Sequence, residues 1–324
     1  MQYFSLAVLA AATAVTAHPG HHEALDFNEL TRRSGLSKRC EPQAAAMNSK
    51  RWLKHNERRS LAARANTSVV ITTETPYYDV LQNDTCVLTP EVTTGPYIWP
   101  RSQTLRQDMS EGQAGVPLYL DIGVLDTNTC SPVEGVLVDL WHCNATGSYS
   151  SFEALSPNTR FEELLTQLNK TIGDDLHTGN TTFLRGMWPT DANGMMEMKT
   201  VFPGFYVERT IHIHAQVHTN WVIRANGTVV SDSTVSTGQI FFDEALSEEI
   251  MALEPYASHT QINRTTNSIG MFEIFLETLL LMILDSIYSA EATDGYNPVM
   301  SVVPLDGNDV TKGMIAYLTL GVAM

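Results

Sequence analysis

The chain has 324 residues, 43% of them hydrophobic, and a formal net charge of −16. That much apolar material supports a packed core and excludes wholesale disorder. The acidic balance excludes nucleic acid as a partner.

The first seventeen residues, MQYFSLAVLAAATAVTA, read as a secretory signal. They are almost wholly apolar from Phe4 to Val15, and Val15 and Ala17 suit a small-residue cleavage site. The mature chain then begins near His18, and the protein is expected outside the cell. N-x-S/T sequons at Asn66, Asn83, Asn144, Asn169, Asn180, Asn226 and Asn263 fit a glycosylated export. Residues 18–65 carry ten Lys or Arg against five acidic residues, with few large apolar side chains, and read as a basic leader or linker. The Lys38-Arg39 pair marks a point where it could be processed. Cys40, Cys86, Cys130 and Cys143 form an even set that suits disulfides, and no C-x-x-C supports a cysteine-rich zinc site.

From residue 66 to the end the pattern predicts one strand-built domain. SVVITTET, PLYLDIGVLD, GVLVDLWHC, MEMKTVFPG, TIHIHAQVHTNWVI and GQIFFD are β-branched or alternating runs bounded by turn residues. ANGT at 225–228 predicts a hairpin turn, and Phe152 to Leu168 is the best helical candidate. This spacing predicts an all-β sandwich with irregular loops and a few short helices. The run IGMFEIFLETLLLMIL at 269–284 stands apart. It is short for a membrane span and carries two carboxylates, so no span is expected. Its removal would join the flanking segments smoothly, so it reads as an insertion. Strand character returns in MSVVPL and GMIAYLTLGVA.

The chemistry gathers in two segments, WHCNATGSY and FPGFYVERTIHIH. On a strand His212 and His214 point to one face. Two phenols, Tyr149 and Tyr206, precede them. Phenolate is a hard, strongly donating anion and favours a trivalent ion, so iron(III) is the expected metal. A zinc hydrolase built on His212, His214 and His218 is the alternative. A secreted, non-catalytic β-sandwich that binds glycans or cell walls is a third reading.

Taken together, Trp141, Asn144, Gly147 and Tyr149, then Pro203, Gly204, Tyr206, Arg209, His212 and His214, resemble the intradiol ring-cleavage dioxygenases, in particular their secreted fungal branch. TPEVTTGPYIW resembles that family's entrance segment and GQIFFD its glutamine-bearing strand. The resemblance implies a β-sandwich that holds Fe(3+) through Tyr149, Tyr206, His212 and His214, with Tyr206 and His214 axial. It implies that Tyr206, Arg209 and Gln239 serve catalysis, and that Tyr97, Arg209 and Gln239 meet the substrate. The implied reaction inserts O2 into a catechol-type diol, giving cis,cis-muconate-type products. Arg209 lies three residues before His212, so on a regular strand it would face away from both His. Ile98 stands where the family repeats a Tyr, which alters pocket polarity. With Cys86 beside the entrance segment and Cys143 beside Trp141, a Cys86–Cys143 disulfide is favoured, leaving Cys40 and Cys130.

Overall fold

The computed structural model describes residues 39–47, 51, 95–98, 104–267 and 298–324. The signal-like start, the SVVITTET run, Cys86 and the apolar run at 269–284 lie outside these residues. Among the described residues no helix is long and apolar enough to cross a membrane.

Among the described residues nine strands form two sheets. The first joins β1 (Pro117–Asp126), β2 (Ser131–Pro132), β5 (Met195–Val201), β8 (Ser301–Pro304) and β9 (Met314–Val322). β2 and β5 both pair antiparallel with β1, and β9 runs parallel to β1 on its other side, followed by β8. The second has the order β4 (Arg185–Pro189), β3 (Leu137–Trp141), β6 (His212–Ile223) and β7 (Val229–Phe241). The 225–228 hairpin joins β6 to β7, as expected.

Alternation sorts the side chains. Leu118, Leu120, Ile122 and Val124 of β1, with Met314, Ala316, Leu318 and Leu320 of β9, face Val138 and Leu140 of β3 and Ile213, Ala215 and Val217 of β6 across one continuous core. The period of two then obliges His212, His214, Gln216 and Trp141 to occupy the outer face of the second sheet. The all-β sandwich expected from the strand pattern is the fold observed.

Two departures have physical causes. The helix expected over 152–168 is only Phe161–Leu168. We label the helical residues 39–47 α1, this helix α2, and Glu244–Met251 α3. Ser151 has φ +67°, and Pro157 disfavours helix in the residue before it, so 152–160 fold as turns. From 161 onward Phe161, Leu164 and Leu165 give the buried stripe that an amphipathic helix needs. The second departure is β4, whose short RGMWP run lacks a strong strand signature.

The first sheet's outer face is covered by part of the basic leader. Cys40, Ala44 and Met47 of α1 pack with Leu125, Cys130 and Met195. Cys40 is disulfide-bonded to Cys130, while Cys143 is a free buried thiol. The favoured Cys86–Cys143 pairing is therefore incorrect. Cys143 belongs to the aromatic cluster around Tyr97, Tyr149 and Tyr206, where burial pushes its thiol up to about 12. Arg51 is fully buried, its Nε 3.4 Å from Asp121 on β1. Gly123 makes room for that guanidinium, since a Cβ there would sit 2.2 Å from Arg51 Nη2.

Candidate metal centre

Two loops carry the phenols and one strand the imidazoles. After Trp141 the chain leaves β3 and turns at Asn144. The Asn144 Oδ1 accepts from Thr146 N, Thr146 Oγ1 and Ser148 N, at 3.0–3.1 Å. This side chain is committed to the turn. Gly147 closes the turn at φ +88°, where an added Cβ would meet Phe205 O at 2.3 Å. Reciprocally, a Cβ on Gly204 would meet the Asn144 and Ala145 carbonyls at 2.5 Å. Gly204 N donates to Asn144 O at 3.2 Å. The Tyr149 and Tyr206 loops are thus locked backbone to backbone, and only glycine permits the approach.

The side chains converge. Tyr206 Oη lies 3.3 Å from His212 Nε2, His212 Nε2 lies 3.2 Å from His214 Nε2, and His214 Nε2 lies 3.0 Å from Tyr149 Oη. Four donor atoms spaced 3.0–3.3 Å apart match neighbouring corners of a coordination shell with bonds of roughly 2.1 Å at near-right angles. The tautomer agrees as well. His212 Nδ1 donates to Thr210 O at 2.7 Å, which leaves the Nε2 lone pair facing the cluster. Trp141 lies opposite His214 across β3 and β6 and stacks on its ring, with centroids 4.8 Å apart and planes within 2°. Burial, then the neighbouring Tyr206, pushes the Tyr149 phenol well above the ordinary tyrosine range. Tyr149 is therefore a neutral phenol until a strong Lewis acid takes the proton's place. The donor set fits a hard trivalent ion.

Arg209 stands at this cluster. The concern that it would face away from the His pair assumed a regular strand. β6 begins only at His212, so Arg209 sits in the preceding turn. Its Nη1 donates to Tyr206 Oη at 3.3 Å and its Nη2 to Gln239 Oε1. Gln239 is placed by register, opposite His214 on β7. Tyr97 stacks on Tyr149 at 4.6 Å and lies edge-on to Tyr206 at 5.8 Å and Phe152 at 5.4 Å. Ile98 packs against the same cluster, which also holds Leu164 and Leu165 of α2. Tyr97, Tyr149, Tyr206, Arg209, His212, His214 and Gln239 are all buried, none more than 7% exposed.

His218 is not in this group. Four residues beyond His214 on β6, and past a register shift at Val217/His218, it lies roughly 13 Å farther along the strand. Its Nε2 is 3.7 Å from Asp139 and its Nδ1 3.1 Å from Thr234 Oγ1. Among the described residues no three His, Cys, Asp or Glu side chains are close enough to share an ion. The zinc site of His212, His214 and His218 is thus corrected: the side chains that converge on the two His are phenols. The reading from sequence also passed over Arg185 of β4. Its guanidinium donates to Ser150 and lies over the Tyr149 ring. A single basic residue in a short apolar run gave no signal of this.

Comparison with known proteins bears on the fold. A family model described as Dioxygenase matches residues 94–228. An intradiol ring-cleavage dioxygenase from Tetranychus urticae superposes with a TM-score of 0.55 at 26% identity, covering 74% of this chain and 95% of that one. The fold is that of an intradiol dioxygenase. A second dioxygenase crystal structure gives a TM-score of 0.54 at 26% identity, with the same coverage of 74% and 95%. Catechol 1,2-dioxygenase from Pseudomonas arvilla C-1 aligns at 17% identity and a TM-score of 0.36 over 91% of this chain and 75% of its own. A search of curated protein sequences finds no match.

Proposed function

We propose that the protein is a non-haem iron(III) intradiol dioxygenase that cleaves catechol-type diols, with Tyr149, Tyr206, His212 and His214 as the iron ligands. The observation that carries the reading is the run of four donor atoms, Tyr206 Oη, His212 Nε2, His214 Nε2 and Tyr149 Oη, each 3.0–3.3 Å from the next. Held by these four side chains, iron(III) would supply the Lewis acidity that lets a diol bind as a dianion and react with O2 at a ring carbon.

The chain's own groups have separate tasks. Tyr206 is the phenol with a guanidinium at its oxygen. As phenolate, its Oη would accept a proton from one substrate hydroxyl, and Arg209 would steady the charge on either side of that transfer. Arg209 and Gln239, already bonded to each other, form a preorganised donor pair for negative charge that develops on the ring. Tyr97, Phe152 and Ile98 supply the apolar wall that keeps water out and aligns a flat aromatic ring. Export from the cell belongs to the proposal and rests on the first seventeen residues and the sequons. Plant- or lignin-derived diols are the proposed substrates, with cis,cis-muconate-type products.

The test is direct. Metal-free protein loaded with one equivalent of iron(III) should turn burgundy through tyrosinate-to-iron charge transfer. It should then consume O2 with catechol, hydroxyquinol, protocatechuate or a caffeoyl compound. A colourless protein that binds no iron would end the proposal, and a coloured protein inert to all four diols would end the proposed substrate class.

A further inference from the structure

Arg185 is a buried cation with no carboxylate in contact: Asp139 and Glu153 act on it only from a longer distance, after the nearer Tyr149 phenol. It is 4% exposed, and among the described residues no Asp or Glu lies within 4 Å of its guanidinium. Its Nε donates to Ser150 Oγ at 2.8 Å and its Nη2 to Ser150 O at 2.9 Å. Both bonds are to the residue that follows Tyr149. Its Cζ sits 5.9 Å from the Tyr149 ring centroid and 5.7 Å from that of Phe152. Across the sheet Arg185 lies opposite Trp141, the residue stacked on His214.

A guanidinium held out of water is costly unless an anion faces it. Ser150 offers only a neutral hydroxyl and a carbonyl. Among the described residues, the group beside it that gains negative charge when the site is loaded is the Tyr149 phenol. We propose that Arg185 is a positioning residue for Tyr149, a fixed cation that anchors the loop bearing this ligand and tempers how strongly its phenolate donates to iron. The inference rests on the iron(III) reading above.

A merely structural anchor would hold the loop whatever its charge, so charge is the variable to change. Arg185→Met removes the cation at similar length, and Arg185→Lys keeps it. With less positive potential at the phenolate, the Met variant should move the tyrosinate-to-iron(III) charge-transfer band to longer wavelength. Its preference for iron(III) over iron(II), from titration of metal-free protein with each ion, should rise on the order of tenfold. The Lys variant should stay close to wild type in both. Should the Met variant fail to fold, Ser150→Ala decides. It trims one buried hydroxyl, frees Nε, and should shift the band the same way by less. A band unmoved in the folded Met variant, or unmoved in Ser150→Ala if that variant has to decide, overturns the inference. So does a Lys variant displaced as far as the Met variant. A wild-type protein with no charge-transfer band overturns the iron reading and this inference with it.

Discussion

The two sheets of the sandwich each bury an arginine on their outer face, and they treat it differently. On the first sheet Arg51 reaches under α1 and meets Asp121, and both side chains are fully buried. On the second, Arg185 meets a serine and the face of a tyrosine ring. The first arrangement is closed. Its charges are matched, and the disulfide from Cys40 to Cys130 ties the covering helix down. The second is open to an anion. Its buried donors converge on one point, where Arg209 donates to the Tyr206 oxygen and Arg185 lies over the Tyr149 ring. Completeness of pairing thus separates a structural face from a reactive one within a single fold.

Substitutions can break this contrast, from large effects to small. His214→Ala removes a corner of the donor shell and is expected to abolish iron retention and to lower activity by more than about a thousandfold. Metal analysis after dialysis and an oxygen electrode would show it. Asp121→Ala strands Arg51 in the core, at an expected cost of about 3–5 kcal/mol in urea unfolding. Turnover per bound iron should stay unchanged, because the disturbance is on the structural face. Arg209→Ala should leave iron bound and the colour present while slowing ring cleavage by about 2–4 kcal/mol of transition-state stabilisation. Steady-state kinetics with the preferred diol would measure this as a fall in kcat.

The smallest expected effect is a pH dependence set by His142, which lies at the end of β3. Its Nδ1 donates to Cys143 O at 2.8 Å and its Nε2 accepts from Thr200 Oγ1 at 2.7 Å. Burial, with a smaller contribution from Arg185, holds this imidazole down at about 4. The unfolded chain takes up the proton from about pH 6.5 downward, and the folded chain does not. Stability is therefore lost as pH falls from 6.5 toward 4, by something on the order of 2–3 kcal/mol, and is flat above that window for this group. Unfolding midpoints at pH 7 and pH 4.5 should show the loss, and His142→Gln should flatten it.

The strand pattern was readable because alternation is a local property. PLYLDIGVLD coincides with β1, and His212 and His214 share a face for the same reason. Tyr149 and Tyr206 were visible only as members of spaced motifs. The cause of that spacing appears in three dimensions, where Gly147 and Gly204 let the two loops touch. Arg209 was misjudged geometrically because no local rule announces that β6 starts at His212. Arg185 was hidden altogether, and the Cys40–Cys130 pairing was open only as what the favoured pairing left over. Each depends on which distant segments the fold lays side by side, and single-chain periodicity carries no record of that.

The interlock of Gly147 with Phe205 and of Gly204 with Asn144 has a consequence for diversification. It makes the spacing between the two phenols a joint property of both loops, so neither can drift alone without losing the other. Change in the apolar surroundings of the phenols is left to residues outside this clasp: Ile98, Leu155, and the α2 leucines Leu164 and Leu165. Related chains that prefer bulkier or more polar rings should differ there first, while the paired glycines stay put.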